Sequence, residues 1–120
     1  ALGCEIDQIA KSIIFAGLSS QQAILFITAG GNLVDKEKAA ALANEPLGKA
    51  DAAFIREKTG FAIGGVSPVG HINPVTVFMD PRLFDFNQIW AAAGTPNHVF
   101  SITPDRLQRF TNAKTLIFTA

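Results

Sequence analysis

Long apolar runs broken by short polar turns set the pattern of this chain. Residues 11–18 read as a buried strand entered through Lys11. Ser19 and Ser20 make a turn, and residues 23–29 form a second buried strand, closed by Gly30, Gly31 and Asn32. Two such runs joined by a short polar turn predict a β-hairpin. Both are apolar on each side, so other elements must cover both faces. Upstream, Leu2, Ile6 and Ile9 share one face of a helical pattern that ends at residue 10.

The rest of the chain alternates helices and strands. Asp35 caps a helix through Ala43 with Leu42 inward, and Pro46 ends that region. Asp51 caps a second helix, with Ala52, Phe54 and Ile55 inward and Gly60 as its C-terminal stop. Residues 75–79 form a third strand, ended by Asp80 and Pro81, and residues 83–86 a short turn. Residues 88–93 are extended, stop at Gly94-Thr95-Pro96-Asn97, and turn back into residues 98–102. Thr103 caps a last helix with Pro104 at its first position, and Leu107 and Phe110 form its buried side. Residues 114–118 close the chain as a strand. The expected fold is α/β (α+β): five or six strands in a mixed, mostly antiparallel, barrel-like sheet surrounded by three or four short helices.

Composition narrows the class. At 120 residues, 48% of them apolar and 17% charged, residues 1–120 make a single domain with a real core. Ten basic residues balance ten acidic ones, which argues against broad contact with a phosphate backbone but not against gripping one exposed end. No apolar run reaches membrane-spanning length, and a single cysteine, Cys4, fits a reducing, cytoplasmic compartment. The chain begins at Ala1 inside a helical pattern, as expected of a processed or incomplete N-terminus.

Candidate chemistry is sparse. Between the patterned halves lies residues 59–71, with four glycines and Pro68. Such a loop is bare and stiff, suited to presenting backbone N–H groups to a small polar ligand. It lacks the Gly-Lys-Ser/Thr ending of a P-loop and the spacing of a dinucleotide loop, and Pro68 after Ser67 rules out a nucleophile elbow. His71, His98 and Cys4 are scattered, so neither a metal site nor a cofactor motif is expected. Lys11 interrupts an apolar stretch; it is either a lysine whose stem packs while its head reaches water, or an ammonium at the mouth of a pocket. Asp80 reads as a strand-end turn residue, and Trp90 and Phe100 as core. Residue spacing alone goes no further than an α/β domain with one small-ligand loop.

Three stretches taken in order go further. Residues 8–15, QIAKSIIF, residues 59–71, TGFAIGGVSPVGH, and residues 92–98, AAGTPNH, together resemble the YbaK-like aminoacyl-tRNA deacylases, relatives of the editing domain inserted in bacterial prolyl-tRNA synthetases. The middle stretch carries that family's Gly-x-x-x-Pro loop as Gly64 to Pro68. The resemblance implies hydrolysis of the ester joining a wrong amino acid to the 3′ end of tRNA, with mischarged tRNA as partner, and a prolyl-tRNA synthetase as a further one. It implies that Lys11 is the essential lysine, that Gly65 belongs to the catalytic loop, and that Ser12, Gly64, Val66, Ser67, Pro68, Gly94 and His98 line the substrate site. It also implies a further helix and strand before Ala1. Without a protein nucleophile, water or a substrate hydroxyl attacks the ester, and loop N–H groups stabilise the oxyanion. The expected target is tRNA-Pro carrying cysteine, 2-aminobutyrate or alanine, with alanine the least favoured. A non-catalytic amino-acid- or nucleotide-binding module, or a regulatory domain of the same fold, is the alternative.

Overall fold

The computed structural model describes residues 5–62, 65–68, 71, 75–94 and 98–120. Among the described residues seven strands form one mixed sheet: β1 (Ile9–Gly17), β2 (Ala23–Ala29), β3 (Leu47–Lys49), β4 (Thr76–Met79), β5 (Ile89–Ala92), β6 (Val99–Ile102) and β7 (Lys114–Thr115). Their order is β6-β5-β1-β2-β4-β7, with β3 also on β1. Pairs β1–β2, β1–β3 and β5–β6 are antiparallel, and pairs β1–β5, β2–β4 and β4–β7 are parallel. The antiparallel β1–β2 ladder is the longest, running from Ala10 opposite Ala29 to Ala16 opposite Ala23. Among the described strands the path is open and does not close on itself.

β2 lies at the centre, and all seven of its residues are buried. Its two faces feed two cores. Leu25, Ile27 and Ala29 pack with Ala10, Ile14, Met79 and Ile89 on one face; Ile24 and Phe26 pack with Phe78 and Phe118 on the other. Phe26 stacks on Phe78 with centroids 5.3 Å apart and meets Phe118 edge-on at 4.9 Å. Helices cover both faces, as two-sided apolar strands require. The first face receives Ile55 of α2 (Ala52–Thr59) and Leu107 of α3 (Pro104–Thr111). The second receives Ala39 of α1 (Lys36–Ala43).

The predicted caps are present. The Asp35 carboxylate accepts from the Glu37 and Lys38 N–H groups, the Asp51 carboxylate from Phe54, and the Thr103 hydroxyl from Arg106. Gly60 ends α2 with φ 84°. Several expectations need correction. Among the described residues the first helix is only a 3-10 turn, Ile6–Gln8, and β1 starts at Ile9. Ala52 is exposed and Leu42 only half-buried. Phe110 points to solvent, 70% exposed, because α3 packs through Pro104 and Leu107 instead. β3, a three-residue strand containing Gly48, was not expected.

Candidate active site

The site is built on an interruption in the sheet. One edge of β1 is taken by β2 along most of its length. The opposite edge pairs with β5 only at Ile9 and Ala10, and with β3 only from Phe15 to Gly17. No described strand pairs with the stretch between. Alternation puts Lys11 on the face of Ile13 and Phe15, and Ser12 on the face of Ala10 and Ile14. At an open edge both faces can border one hollow, and here they do. A pocket of about 340 Å³ is lined by Lys11, Ser12, Val66, Trp90, His98 and Val99 together with neighbouring β1 and β5 residues.

Four of the predicted site residues therefore converge from three separate stretches: Lys11 and Ser12 from β1, Val66 from the glycine loop, and His98 from the start of β6. The Lys11 ammonium donates to the Asn32 carbonyl at 2.9 Å. The Ser12 hydroxyl is buried and has no hydrogen-bond partner among the described residues. A buried, unpartnered hydroxyl costs about 1–3 kcal/mol, so a ligand that bonds to it recovers that cost. His98 is exposed and also lines the pocket.

Of the remaining predicted residues, those that are described do not line the pocket. Gly65, Ser67 and Pro68 are buried beside Val66. The Gly65 N–H donates to the Ala62 carbonyl at 3.0 Å, so here it is engaged within the loop and not directed at the pocket. His71 Nε2 donates to the Ser67 carbonyl, and its ring meets Phe61 edge-on with centroids 5.6 Å apart. Phe61 in turn abuts Gly94, whose φ of 98° favours glycine. Gly94 thus joins the β5–β6 hairpin to the glycine loop without lining the pocket. Gly64 and the Thr95-Pro96-Asn97 part of the hairpin turn lie outside the described residues.

Sequence reasoning missed three contributors. Trp90, expected in the core, is half-buried and lines the pocket. In β5 Ile89 and Ala91 are buried while Trp90 and Ala92 are half-buried, but the apolar run Ile89 to Ala92 shows no alternation in sequence that could have announced it. Asn32 and Asp80 hold the Lys11 end of the site, and only the pairing of β1 with β2 and β2 with β4 brings them there. Nearby, Arg82 bonds Asp7 at 3.0 Å and Asp85 at 2.7 Å and lies over the Phe86 ring. The Arg82 guanidinium, and after it the Gly31 N–H, hold the Asp7 carboxyl below the usual carboxylate range; Lys11 adds a smaller push the same way.

A larger, shallower groove of about 420 Å³ lies at the far end of β1, between Leu18 and Phe54. It contains none of the predicted site residues. Size alone would favour it, but chemistry favours the smaller pocket. No cluster of three or more His, Cys, Asp or Glu side chains suited to a metal ion occurs among the described residues. No helix of the described residues is long and apolar enough to cross a membrane.

A family model for the aminoacyl-tRNA editing domain matches residues 1–110. The chain belongs to that family. The editing domain is 31% identical over 116 residues to the uncharacterized protein YwhH of Bacillus subtilis strain 168, covering 97% of this chain and 73% of YwhH. Its fold superposes on the crystal structure of a candidate trans-editing enzyme for prolyl-tRNA synthetase with a TM-score of 0.94, at 41% identity, over 99% of this chain and 74% of the other. A scaffold protein used for grafting linear epitopes by computational design matches equally well, with a TM-score of 0.94 and 38% identity over 100% of this chain and 79% of the other. The hypothetical protein APE2540 shares the fold, with a TM-score of 0.89 at 23% identity over 99% of this chain and 79% of its own. The editing domain is thus a mixed α/β fold of a kind solved more than once.

Proposed function

We propose that this editing domain is an aminoacyl-tRNA deacylase that hydrolyses the ester between a small non-cognate amino acid and the 3′ end of tRNA, with tRNA-Pro as the favoured carrier. The observation that carries the reading is the convergence of Lys11, Ser12, Val66 and His98 on one pocket of about 340 Å³. That volume is near the lower end of the roughly 300–1,000 Å³ typical of ligand pockets, as a site for an aminoacyl group should be. Editing is needed because a synthetase pocket discriminates a methylene by only about 1–3 kcal/mol.

In this reading Lys11 holds the reacting ester or the terminal phosphate through N–H donors not used on Asn32. The terminal adenosine lies against Trp90 and Val99, and the aminoacyl side chain enters toward Ser12 and Val66. Gly65, with its own N–H engaged, shapes the turn that presents Val66, and further loop N–H groups serve the oxyanion. Ser67 and Pro68 stiffen that wall, and His98 closes the rim. The attacking oxygen comes from water oriented by the neighbouring ribose hydroxyl. Breaking the ester releases the free amino acid and the tRNA 3′-hydroxyl. The test is a panel of tRNAs charged with cysteine, 2-aminobutyrate, alanine and proline. The small non-cognate esters should be hydrolysed and the prolyl ester spared; equal stability of all four with and without protein would refute the reading.

A further inference from the structure

The turn after β2 is held from two sides, and its carbonyl is aimed at Lys11. Asn32 donates from Nδ2 to Asp80 Oδ2 at 2.9 Å, and the same oxygen accepts from the Ala29 N–H at 3.1 Å. The other oxygen, Oδ1, accepts from the Arg82 N–H at 3.0 Å. Asp80 is 2% exposed, far more buried than a strand-end turn residue needs to be. On the other side, Asp7 Oδ1 accepts from the Gly31 N–H at 2.8 Å. Gly30 has no room for a side chain, because a Cβ there would run into the Ile6 carbonyl. The Asn32 N–H closes the turn onto the Ala29 carbonyl at 2.9 Å.

We propose that Asn32, anchored by Asp80, is the positioning residue that fixes the Lys11 ammonium at the mouth of the pocket. A lysine head on a flexible four-carbon stem samples many positions, and a single rigid acceptor selects among them. An ammonium has three N–H donors. One goes to the Asn32 carbonyl, and no other hydrogen bond of Lys11 is made among the described residues, so two remain for substrate. Asp80 reaches no substrate in this arrangement; it acts through Asn32. The assignment rests on the role given to Lys11 under the proposed function.

The variant N32A keeps the carbonyl but removes its anchor, and leaves Asp80 its Ala29 and Arg82 partners. Its kcat should fall by about ten- to a hundredfold, the scale of a displacement near 1 Å, with KM within about twofold and Tm close to wild type. A second readout needs no substrate. In the wild type, the Lys11 ammonium should give a slowly exchanging ¹H–¹⁵N NMR signal with a scalar coupling across the hydrogen bond to the Asn32 carbonyl carbon; in N32A the signal should broaden away. Unchanged kcat and an unchanged signal in N32A would overturn the proposal. If N32A does not fold, the wild-type coupling decides alone, and its absence overturns the proposal. A wild type silent on every charged tRNA would count against hydrolysis, while the ammonium signal still reports whether Asn32 holds Lys11.

Discussion

Gly94 meets Phe61 so closely that a methyl group at its position would lie 3.2 Å from the ring's Cε1. Its backbone also sits at φ 98°, where side chains are rarely tolerated. The contact ties the β5–β6 hairpin, which carries Trp90 and His98, to the loop that carries Val66. The variant G94A should therefore lose about 1–3 kcal/mol of stability, the usual cost of a non-glycine residue held at positive φ. It should also displace Phe61 and weaken editing more than its stability loss explains. Thermal unfolding and single-turnover deacylation would check this; a G94A protein with wild-type Tm and wild-type rate would contradict the link.

The Ser12 hydroxyl, without a partner among the described residues, bears on which amino acid is removed. Cysteine and 2-aminobutyrate differ by a thiol in place of a methyl, so they separate hydrogen bonding from size. If the hydroxyl bonds the side chain, S12A should narrow the preference for cysteine over 2-aminobutyrate by up to about tenfold, the value of one modest hydrogen bond. The ratio of kcat/KM for the two esters is the measurement, and a ratio unchanged in S12A would place the hydroxyl elsewhere on the substrate.

Acid stability has a local handle in Glu45. Its carboxylate accepts from the Ser19 and Ser20 N–H groups at 3.0 and 2.9 Å and so pins the β1–β2 turn. Those bonds, Ser20 foremost, hold the carboxyl below its usual range. A carboxyl depressed in the folded state contributes its stability above its unfolded pKa, about 4.3 for a glutamate, and loses it as pH falls through the folded value. Asp7 works in the same direction. Between about pH 5 and 3, Tm should fall more steeply for wild type than for E45Q, whose amide does not titrate there. Parallel Tm curves for the two proteins over that window would show that Glu45 contributes nothing.

Association with tRNA should depend only weakly on salt. The chain has ten basic and ten acidic residues, and among the described residues the pocket lining includes one lysine, Lys11. Contact with three or four phosphates of a single-stranded end gives a log–log slope of about −2 to −3. Binding titrations from low to moderate salt would measure it. A slope near −6 or steeper would mean an extended phosphate interface that the pocket does not supply.

The sequence made local chemistry visible and tertiary pairing largely invisible. The caps at Asp35, Asp51 and Thr103 and the run from Ala23 to Ala29 were legible because each depends on neighbouring residues alone. β3 was not, since three residues including Gly48 hold no periodicity, and they become a strand only by pairing with Phe15 to Gly17. Phe110 was misjudged because helical spacing says which residues share a face, not how wide a face the sheet covers. Ser12, Val66 and His98 were reached through ordered resemblance, and the structure brings them with Lys11 to one pocket. Asn32 and Asp80 lie 48 positions apart, and nothing local in either stretch announces their hydrogen bond.

The central claim is tested most directly by single-turnover hydrolysis of cysteinyl-tRNA-Pro by the wild type and by K11A, with Tm and circular dichroism measured on both. Hydrolysis well above the protein-free rate by the wild type, reduced to that background by a K11A protein that remains folded, is the expected result. A folded K11A that clears the ester as fast as the wild type would contradict it.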